Sequence, residues 1–551
     1  MSAKLGKWIG PLFYVLTLLG LPAEARVLLV WRDNPNLSAP PYDGGWETAA
    51  TNIQDALDAV MTSGRIWVAA GVYDTGGRTF GSEAVTNRLL VTNGVSVTAV
   101  EGPAVTFIVG AASGAPVTNG VGDGAVRGVY VGHADARLIG VTVSDAVAGL
   151  TQAEGSGGGV YCAATGAGGS NCVVSGCGAY YDGGGVYGGM WQACVFNDNM
   201  ADENGGGAAD AVMESGTLSG NTANWDGGGA FESELWLCTV TGNEAQDSDG
   251  GGLSYCTATR CVIRDNRAYD DGGGSSDCDL VNCLVADNES GYGGGAAYGT
   301  LDACTIVSNT ASSYGGGVYD TDYVLNTVIW DNQAPSNPQW SYGYYANCLT
   351  APVPDGVYDG GGNLTGDPLF VNAAAGDYRL ASASPCINAG AFDGYAQDDD
   401  AVDLDARPRV LGSAPDIGAY EYGVSTGFAA LGTPIDWLDD YYDGPDWYAA
   451  ELDDSDDDGL LAWEEYIAGT SPVDGASMFA IVAVARVAGH TELTLNTVLG
   501  RLYTVERRSL LSSLGQWENA DAPFAGNGQP VTVSIPDAED AAYYRVRVSL
   551  P

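Results

Sequence analysis

The sequence predicts an all-β chain wound into a parallel β-solenoid with coils of about 22 residues, and three observations predict it. A Gly-Gly-Gly triplet recurs eight times, starting at Gly157, Gly183, Gly205, Gly227, Gly250, Gly272, Gly293 and Gly315, with gaps of 26, 22, 22, 23, 22, 21 and 22 residues. A second phrase, apolar-x-x-Asn, keeps the same time and yields Asn199, Asn221, Asn243, Asn266, Asn288, Asn309 and Asn332. Between these markers stand only short apolar pieces such as 261–263 and 304–307, rich in β-branched residues and bounded by Gly, Asp, Asn and Ser. Such pieces read as strands and turns. No repeat has room for a helical pair, and glycine at this density disfavours helix.

Coils stacked as parallel strands lie about 4.8 Å apart, so a residue that recurs once per coil sits above its own copy. An Asn there can bond its amide to the Asn above and below, which satisfies polar groups inside a turn. The glycine triplets supply turn conformations with positive φ and close backbone approach.

The Gly-Gly-Gly-Val/Ala and Phe/Ile/Val-x-x-Asn phrases, for example Phe196 with Asn199, resemble the repeats of the chlamydial polymorphic outer-membrane proteins. That resemblance covers about a third of the chain and implies a right-handed parallel β-helix, the pectin-lyase-like fold. Here Val, Ile or Leu often replaces the Phe. A fold of this kind is nearly silent on activity.

From the N-terminus, residues 1–25 read as a secretory signal. Lys4 and Lys7 form the basic start, 8–21 the apolar core and 23–25 the small-x-small cleavage site. The mature chain is expected to begin near Arg26 and to hold no membrane span. A strand is predicted over 27–31, then a helix over 48–63 with Ile53, Ala56, Leu57, Val60 and Met61 on one face. Such a helix would cap the solenoid's open end and protect unpaired strand edges. Irregular early coils fill 88–150, and the β-helix with its cap is expected over 26–335.

Residues 336–423 are expected to hold the last coils and a C-terminal cap. Within them, 366–390 and 415–422 resemble the choice-of-anchor segment that closes many exported bacterial β-helix proteins. Cys348 and Cys386 flank this region and are expected to pair. Residues 424–475 form an acidic linker rich in Asp, Tyr and Trp. The last block, 476–551, alternates apolar and polar residues at 479–484, 492–495, 502–505, 531–535 and 543–548, which suggests a small β-sandwich.

Composition narrows the partners. The chain has 69 Asp and Glu against 21 Lys and Arg, a formal charge of −48, and no lysine after Lys7. Such a surface repels nucleic acid and anionic lipid and attracts divalent cations; it also serves simply as a solubility device. Of the twelve cysteines, Cys194, Cys238, Cys261, Cys283 and Cys304 stand five before an Asn of the column, and Cys172 stands five before Cys177. Cys256 and Cys278 form a second short column. A small buried apolar residue is the reading that fits best, although disulfides between neighbours are open in an oxidising compartment.

The strongest site signal is a twelve-residue loop that matches the EF-hand pattern without a gap. Asp454, Asp456 and Asp458 fall at positions 1, 3 and 5, with Gly459 at the sharp turn. Leu460 would offer its backbone carbonyl and Glu465 would close the site as a bidentate ligand, so calcium is the expected cofactor. The loop also resembles those of dockerin and thrombospondin-type repeats. No second loop is visible, so its expected role is to stiffen the joint between solenoid and sandwich.

Two further sets remain open. Asp182, Asp226, Asp249 and Asp271, each before a triplet, either bind calcium between coils or serve the turn; turn chemistry is the preferred account. Tyr161, Tyr187, Phe231 and Tyr319 fall at one offset after the triplet, as a sugar-stacking stripe if outward and as core if inward; core packing is preferred. The fold's polysaccharide lyases and glycosidases need a base or paired carboxylates. Arg127, Arg137, Arg260, Arg264 and Arg267 are the basic candidates, and no motif elects a catalytic set. The expected function is therefore an exported, non-catalytic cell-surface β-helix that binds polysaccharide or matrix components; the alternative is an extracellular polysaccharide lyase or glycoside hydrolase.

Overall fold

The computed structural model describes residues 27–549 except 37, 61–62, 82–83, 113–123, 150–154, 355, 393–394, 396–400, 424–430, 432, 435–436, 439–440, 443–449, 457–459, 476, 478, 480, 488–489, 500, 510–517 and 537–541. The signal segment 1–25, Met61, Asp458 and Gly459 lie outside the described residues. These residues fall into two compact units, one within Ala25–Leu404 and Pro408–Gly423, the other within Val424–Pro551 with Asp405–Arg407.

The first unit is a right-handed parallel β-helix, and its coil is a polygon with four sides. From the triplet onward a coil passes through sheet 1 (for example Val186–Tyr187), sheet 2 (Met190–Gln192), sheet 3 (Val195–Asn197) and sheet 4 (Met200–Ala201). These stacks hold 11, 14, 11 and 7 described strands respectively. Successive coils pair in parallel and in register: Ala230 and Phe231 stand against Leu253 and Ser254, which stand against Ser275 and Ser276.

Four residues with left-handed backbone turn the four corners. In one coil they are Gly205 (φ 65°), Asp210 (52°), Ser215 (54°) and Gly220 (63°). Strands of two or three residues follow from that corner spacing. The first glycine of a triplet is one such corner, and the next two are forced by contact. A Cβ on Gly228 would stand 2.5 Å from the carbonyls of Glu244 and Gly251, and one on Gly229 2.6 Å from the carbonyl oxygen of Gly252. Nothing larger than hydrogen fits there.

Like residues pile up inside. Sheet 3 contributes Val174, Phe196, Leu218, Val240, Ile263, Val285, Ile306 and Ile329, all fully buried. Each such aliphatic contributes roughly 1.5–3 kcal/mol by leaving water. The asparagine column forms as expected, one residue past each sheet 3–sheet 4 corner. Every amide donates to the Oδ1 of the next Asn at 2.9–3.0 Å, from Asn199 through Asn309 to Asn332. Its second proton goes to a sheet 3 carbonyl, as Asn243 Nδ2 to Leu218 at 3.1 Å. Gln339 closes the column beyond Asn332, accepting at 3.0 Å.

At the sheet 2–sheet 3 corner the thiols take the same part. Backbone N–H groups of Cys238 and Cys261 donate to the Sγ of Cys261 and Cys283 at 3.4 and 3.3 Å. Thr327 continues the series as the acceptor for Cys304 at 3.1 Å. All twelve cysteines are buried and free. The expected Cys348–Cys386 bond is therefore corrected: Cys348 belongs to the interior of the rod, whereas Cys386 packs with Val328, Leu349 and Ile417 on its flank.

At the N-terminal end the helix is shorter than predicted, Ile53–Ala59, because Ser63 already belongs to the strand Ser63–Val68. Asn52 caps it, its side chain accepting from Gln54 N–H at 2.7 Å. Ile53, Ala56 and Leu57 face the core as the 3.6-residue spacing required. No helix among the described residues is long and apolar enough to cross a membrane.

Residues 366–423 behave differently from the end cap expected of them. They run back along sheet 3 and bury its outward side chains: Leu284, Ala286 and Val307 pack with Tyr378, Phe370, Leu404 and Tyr420. Asn326, at a sheet 2–sheet 3 corner, holds this strap through Nδ2 to Ala391 O (3.1 Å) and Oδ1 from Ala391 N–H (2.7 Å). Arg409 and Glu421 form a fully buried ion pair within it at 2.6 Å.

The second unit contains two antiparallel sheets. One orders Ile481–Val487, His490–Leu495 and Val531–Pro536; the other centres on Leu502–Ser509, paired with Ala542–Ser549. Leu493, Leu495, Val533 and Ile535 of the first pack with Tyr503, Val505 and Val548 of the second, a small sandwich core.

Candidate functional site

Sheet 1 carries the chemistry. Its inward track is Val160, Val186, Ala208, Ala230, Leu253, Ser275, Ala296 and Val318, each at most 1% exposed. The next residue along therefore points outward, and Tyr161, Tyr187, Phe231 and Tyr319 occupy that track. Core packing is thus corrected: these rings lie outside the solenoid and are half-buried among neighbouring side chains. Phe80, Tyr130, Tyr161 and Tyr187 stack in succession with centroids 4.6, 5.7 and 5.3 Å apart. Further along, Phe231 meets Tyr255 at 5.8 Å, and Tyr319 meets Tyr292, Tyr298 and Tyr342 at 5.2, 6.1 and 6.0 Å. Tyr255, Tyr298 and Tyr342 are left-handed corner residues, a role the offset from the triplet did not signal.

A carboxylate column runs beside the rings. Asp182, Asp226, Asp249 and Asp271 precede the first glycine of their triplets, and that glycine abuts the outward track. A Cβ on Gly227 would lie 3.2 Å from the Cβ of Phe231, and one on Gly250 2.8 Å from that of Ser254. The column is a side-chain ladder. Asp226 Oδ1 accepts from Asp249 N–H at 3.2 Å, and Asp249 Oδ1 from Asp271 N–H at 2.8 Å. Asn204 continues it, donating to Asp182 at 2.9 Å. Turn chemistry thus accounts for these positions, as expected.

The tracks join where Tyr298 Oη donates to Asp271 Oδ2 at 2.8 Å. On the far side stand the corner acids Asp210, Glu232, Asp277 and Asp320. Between the aromatic groups the outward track narrows to Ala209, and further on to Ser254, Ser276 and Ala297, all buried, and the Ser254 hydroxyl has no hydrogen-bond partner.

This crowding perturbs the acids. Burial first, then the charges of Asp271, Asp226 and Asp270, push the Asp249 carboxyl up to about 6, although the N–H of Asp271 favours its ionised form. Burial also raises Asp182, Asp271 and Asp277, the last with help from Asp226 and Asp322.

The five candidate arginine bases are scattered. Arg127 is 1% exposed and donates to Ser156 O, Gly157 O and Asn87 Oδ1, its guanidinium 5.0 Å from the Tyr161 ring. Arg137 and Arg260 are bound to carbonyls of Ala134 and Asp403. Arg264 pairs with Asp265 at 2.7 Å and Arg267 with Glu244 at 3.3 Å. These four lie on sheets 2 to 4 or their corners, away from the rings.

In the second unit, the calcium-loop sequence leads into the helix Ala462–Ala468, which starts at loop position 9. Glu465 is fully buried. Its charge and those of Asp453 and Asp456 act on the Tyr442 hydroxyl, which burial first raises. Asp454 and Leu460 are the other described members of the set, and Asp458 lies outside the described residues. The donors are hard oxygens, the kind that suits calcium. Among the described residues no three Asp, Glu, His or Cys side chains are gathered as metal ligands. The helix is tied to the sandwich by Arg501, which donates to Tyr466 O at 2.6 Å.

No protein-family model matches the chain, and no curated protein sequence does. Solved structures similar to it include pectate lyase Pel9A, at 13% identity and a TM-score of 0.38 over 73% of this chain and 98% of that one. A rhamnogalacturonan lyase is similar at 10% identity and a TM-score of 0.32, over 59% of this chain and 87% of that one. The Dettilon tailspike protein follows at 11% and 0.28, over 59% and 62%. Likeness of this size concerns the winding of the chain alone.

Proposed function

We propose that the outer face of sheet 1 binds a polysaccharide, and that the protein is an exported, non-catalytic β-helix serving adhesion or matrix contact at the cell surface. One observation carries the reading: outward aromatic rings gather on this one face, Tyr130, Tyr161 and Tyr187 in three successive coils. A coil rises about 4.8 Å, close to the length of one hexose in an extended chain. Rings stacked on one another turn their edges and hydroxyls outward, where sugar C–H groups pack and sugar hydroxyls reach the flanking carboxylates. Of the candidate bases only Arg127 stands at this face, and it is buried and bound to Ser156 O, Gly157 O and Asn87 Oδ1, which leaves it unsuited to take a proton from a bound sugar. The test is retention of the full chain in gels containing candidate polysaccharides. Tyr161→Ala with Tyr187→Ala is expected to abolish it; retention equal to the parent overturns the reading.

Glycoside hydrolysis is a second reading, favoured by one feature: Asp249, held up to about 6, stands beside Asp271 in the middle of the face. A raised carboxyl next to another is the arrangement of a general acid with its partner. Release of reducing ends from a bound polysaccharide, lost in Asp249→Asn, would select it over binding alone.

We also propose that Asp454, Asp456, Asp458, Leu460 and Glu465 hold calcium. The buried carboxylate of Glu465 supports it, and bound calcium would order the loop onto the sandwich through its exit helix.

A further inference from the structure

Resting on the polysaccharide reading above, we infer that the ligand of sheet 1 is a cationic polysaccharide, a chain of amino sugars with free protonated amines. Charge and spacing carry this. Asp182, Asp226, Asp249 and Asp271 stand in one column with a single acid or amide per coil, Asn204 filling the coil between the first two. Asp210, Glu232, Asp277 and Asp320 line the other side of the ring track, at the next corner of their own four coils. Like charges at coil spacing repel one another in a partly dehydrated surface. A polyuronate would add its own charges to that repulsion, and a neutral glycan would leave it in place. A polymer with one ammonium per sugar removes it, unit by unit.

The rings fit the same partner. An ammonium over a tyrosine face is attracted by its quadrupole, and the molecule already uses this contact internally, where Arg127 stands 5.0 Å from the Tyr161 centroid. The Tyr298 hydroxyl and an Asp271 oxygen stand 2.8 Å apart, so a ring and an acid adjoin and one sugar can pack on the first while its amine reaches the second. On the same outward track, the buried Ser254 hydroxyl lacks a partner within the protein. Among the described residues Arg127 is committed to carbonyls, and Arg260, Arg264 and Arg267 lie on other sheets.

A strongly acidic protein attracts any polycation, so the test must separate the face from the net charge. Asp226→Asn with Asp249→Asn removes two charges from the column, and Asn204 shows that an amide keeps the ladder intact. Glu214→Gln with Glu234→Gln removes two from the exposed side of sheet 2. Binding of the full chain to a glucosamine polymer is measured alongside its N-acetylated form, a neutral β-glucan and polygalacturonate with calcium. The glucosamine polymer is expected to bind at least about tenfold tighter than the other three; the column variant should lose about tenfold and the sheet 2 variant little. Equal losses in both variants would assign the binding to bulk charge and overturn the inference. Equal or tighter binding of the acetylated, neutral or uronate polymer also overturns it but leaves the polysaccharide reading standing. Binding to none of the four overturns both.

Discussion

Tyr298 and Asp271 are 27 residues apart in sequence, yet the tyrosine hydroxyl donates to the carboxylate at 2.8 Å and ties the aromatic track to the acidic one. Tyr298 sits at a left-handed corner, φ 57°, one coil beyond the triplet that Asp271 precedes. Tyr298→Phe keeps the ring and removes the donor to an ionisable partner, for a cost of about 1–2 kcal/mol. Chemical denaturation would measure it, and an unaltered midpoint would show that water replaces the hydroxyl without loss.

Asn243→Ala strikes the buried ladder. It leaves Asn221 without its acceptor and Leu218 O without its donor, for a loss of about 1–3 kcal/mol. An unchanged melting midpoint would count against the ladder as a source of stability.

Among the described residues every Asp or Glu with a resolved shift is raised, Asp182, Asp249, Asp271 and Asp277 included. A carboxyl whose folded value lies above its unfolded one contributes stability below the unfolded value, and that contribution is lost as pH rises through the folded one. For Asp249 the window runs from 3.8 to about 6. The β-helix should therefore melt at a higher temperature near pH 4.5 than near pH 7, and Asp249→Asn should narrow the difference. A melting curve that rises with pH across this window refutes the account.

Asp456→Ala removes a donor from the proposed calcium loop. Limited proteolysis of the parent should show calcium-dependent protection around residues 440–475, absent in the variant. Indistinguishable digestion of the two proteins in calcium would argue against a metal there.

The thiols offer an independent check on the stacking. Burial pushes Cys162, Cys177 and Cys348 to about 12, which suppresses the reactive thiolate. Native protein should resist alkylation, and unfolding without reductant should expose all twelve thiols. A shortfall on unfolding would reveal disulfides within the columns.

The sequence by itself determined the coil, its period and the residues that meet along it. In a solenoid the neighbour in space is the neighbour one repeat away, so Asn221, Asn243 and Asn266 recur in the chain as they recur along the rod. Cys261 and Cys283 are legible for the same reason. Only the tertiary structure decided which way Tyr161, Tyr187, Phe231 and Tyr319 point. Two-residue strands between left-handed corners are too short for alternation to fix a face, and each corner resets the parity. It alone, too, brought the strap of 366–423 against Leu284 and Val307, a contact between non-repeating segments far apart in the chain that no period encodes. The candidate site follows the same division: its spacing is written in the repeat, and its outward orientation comes from the corners.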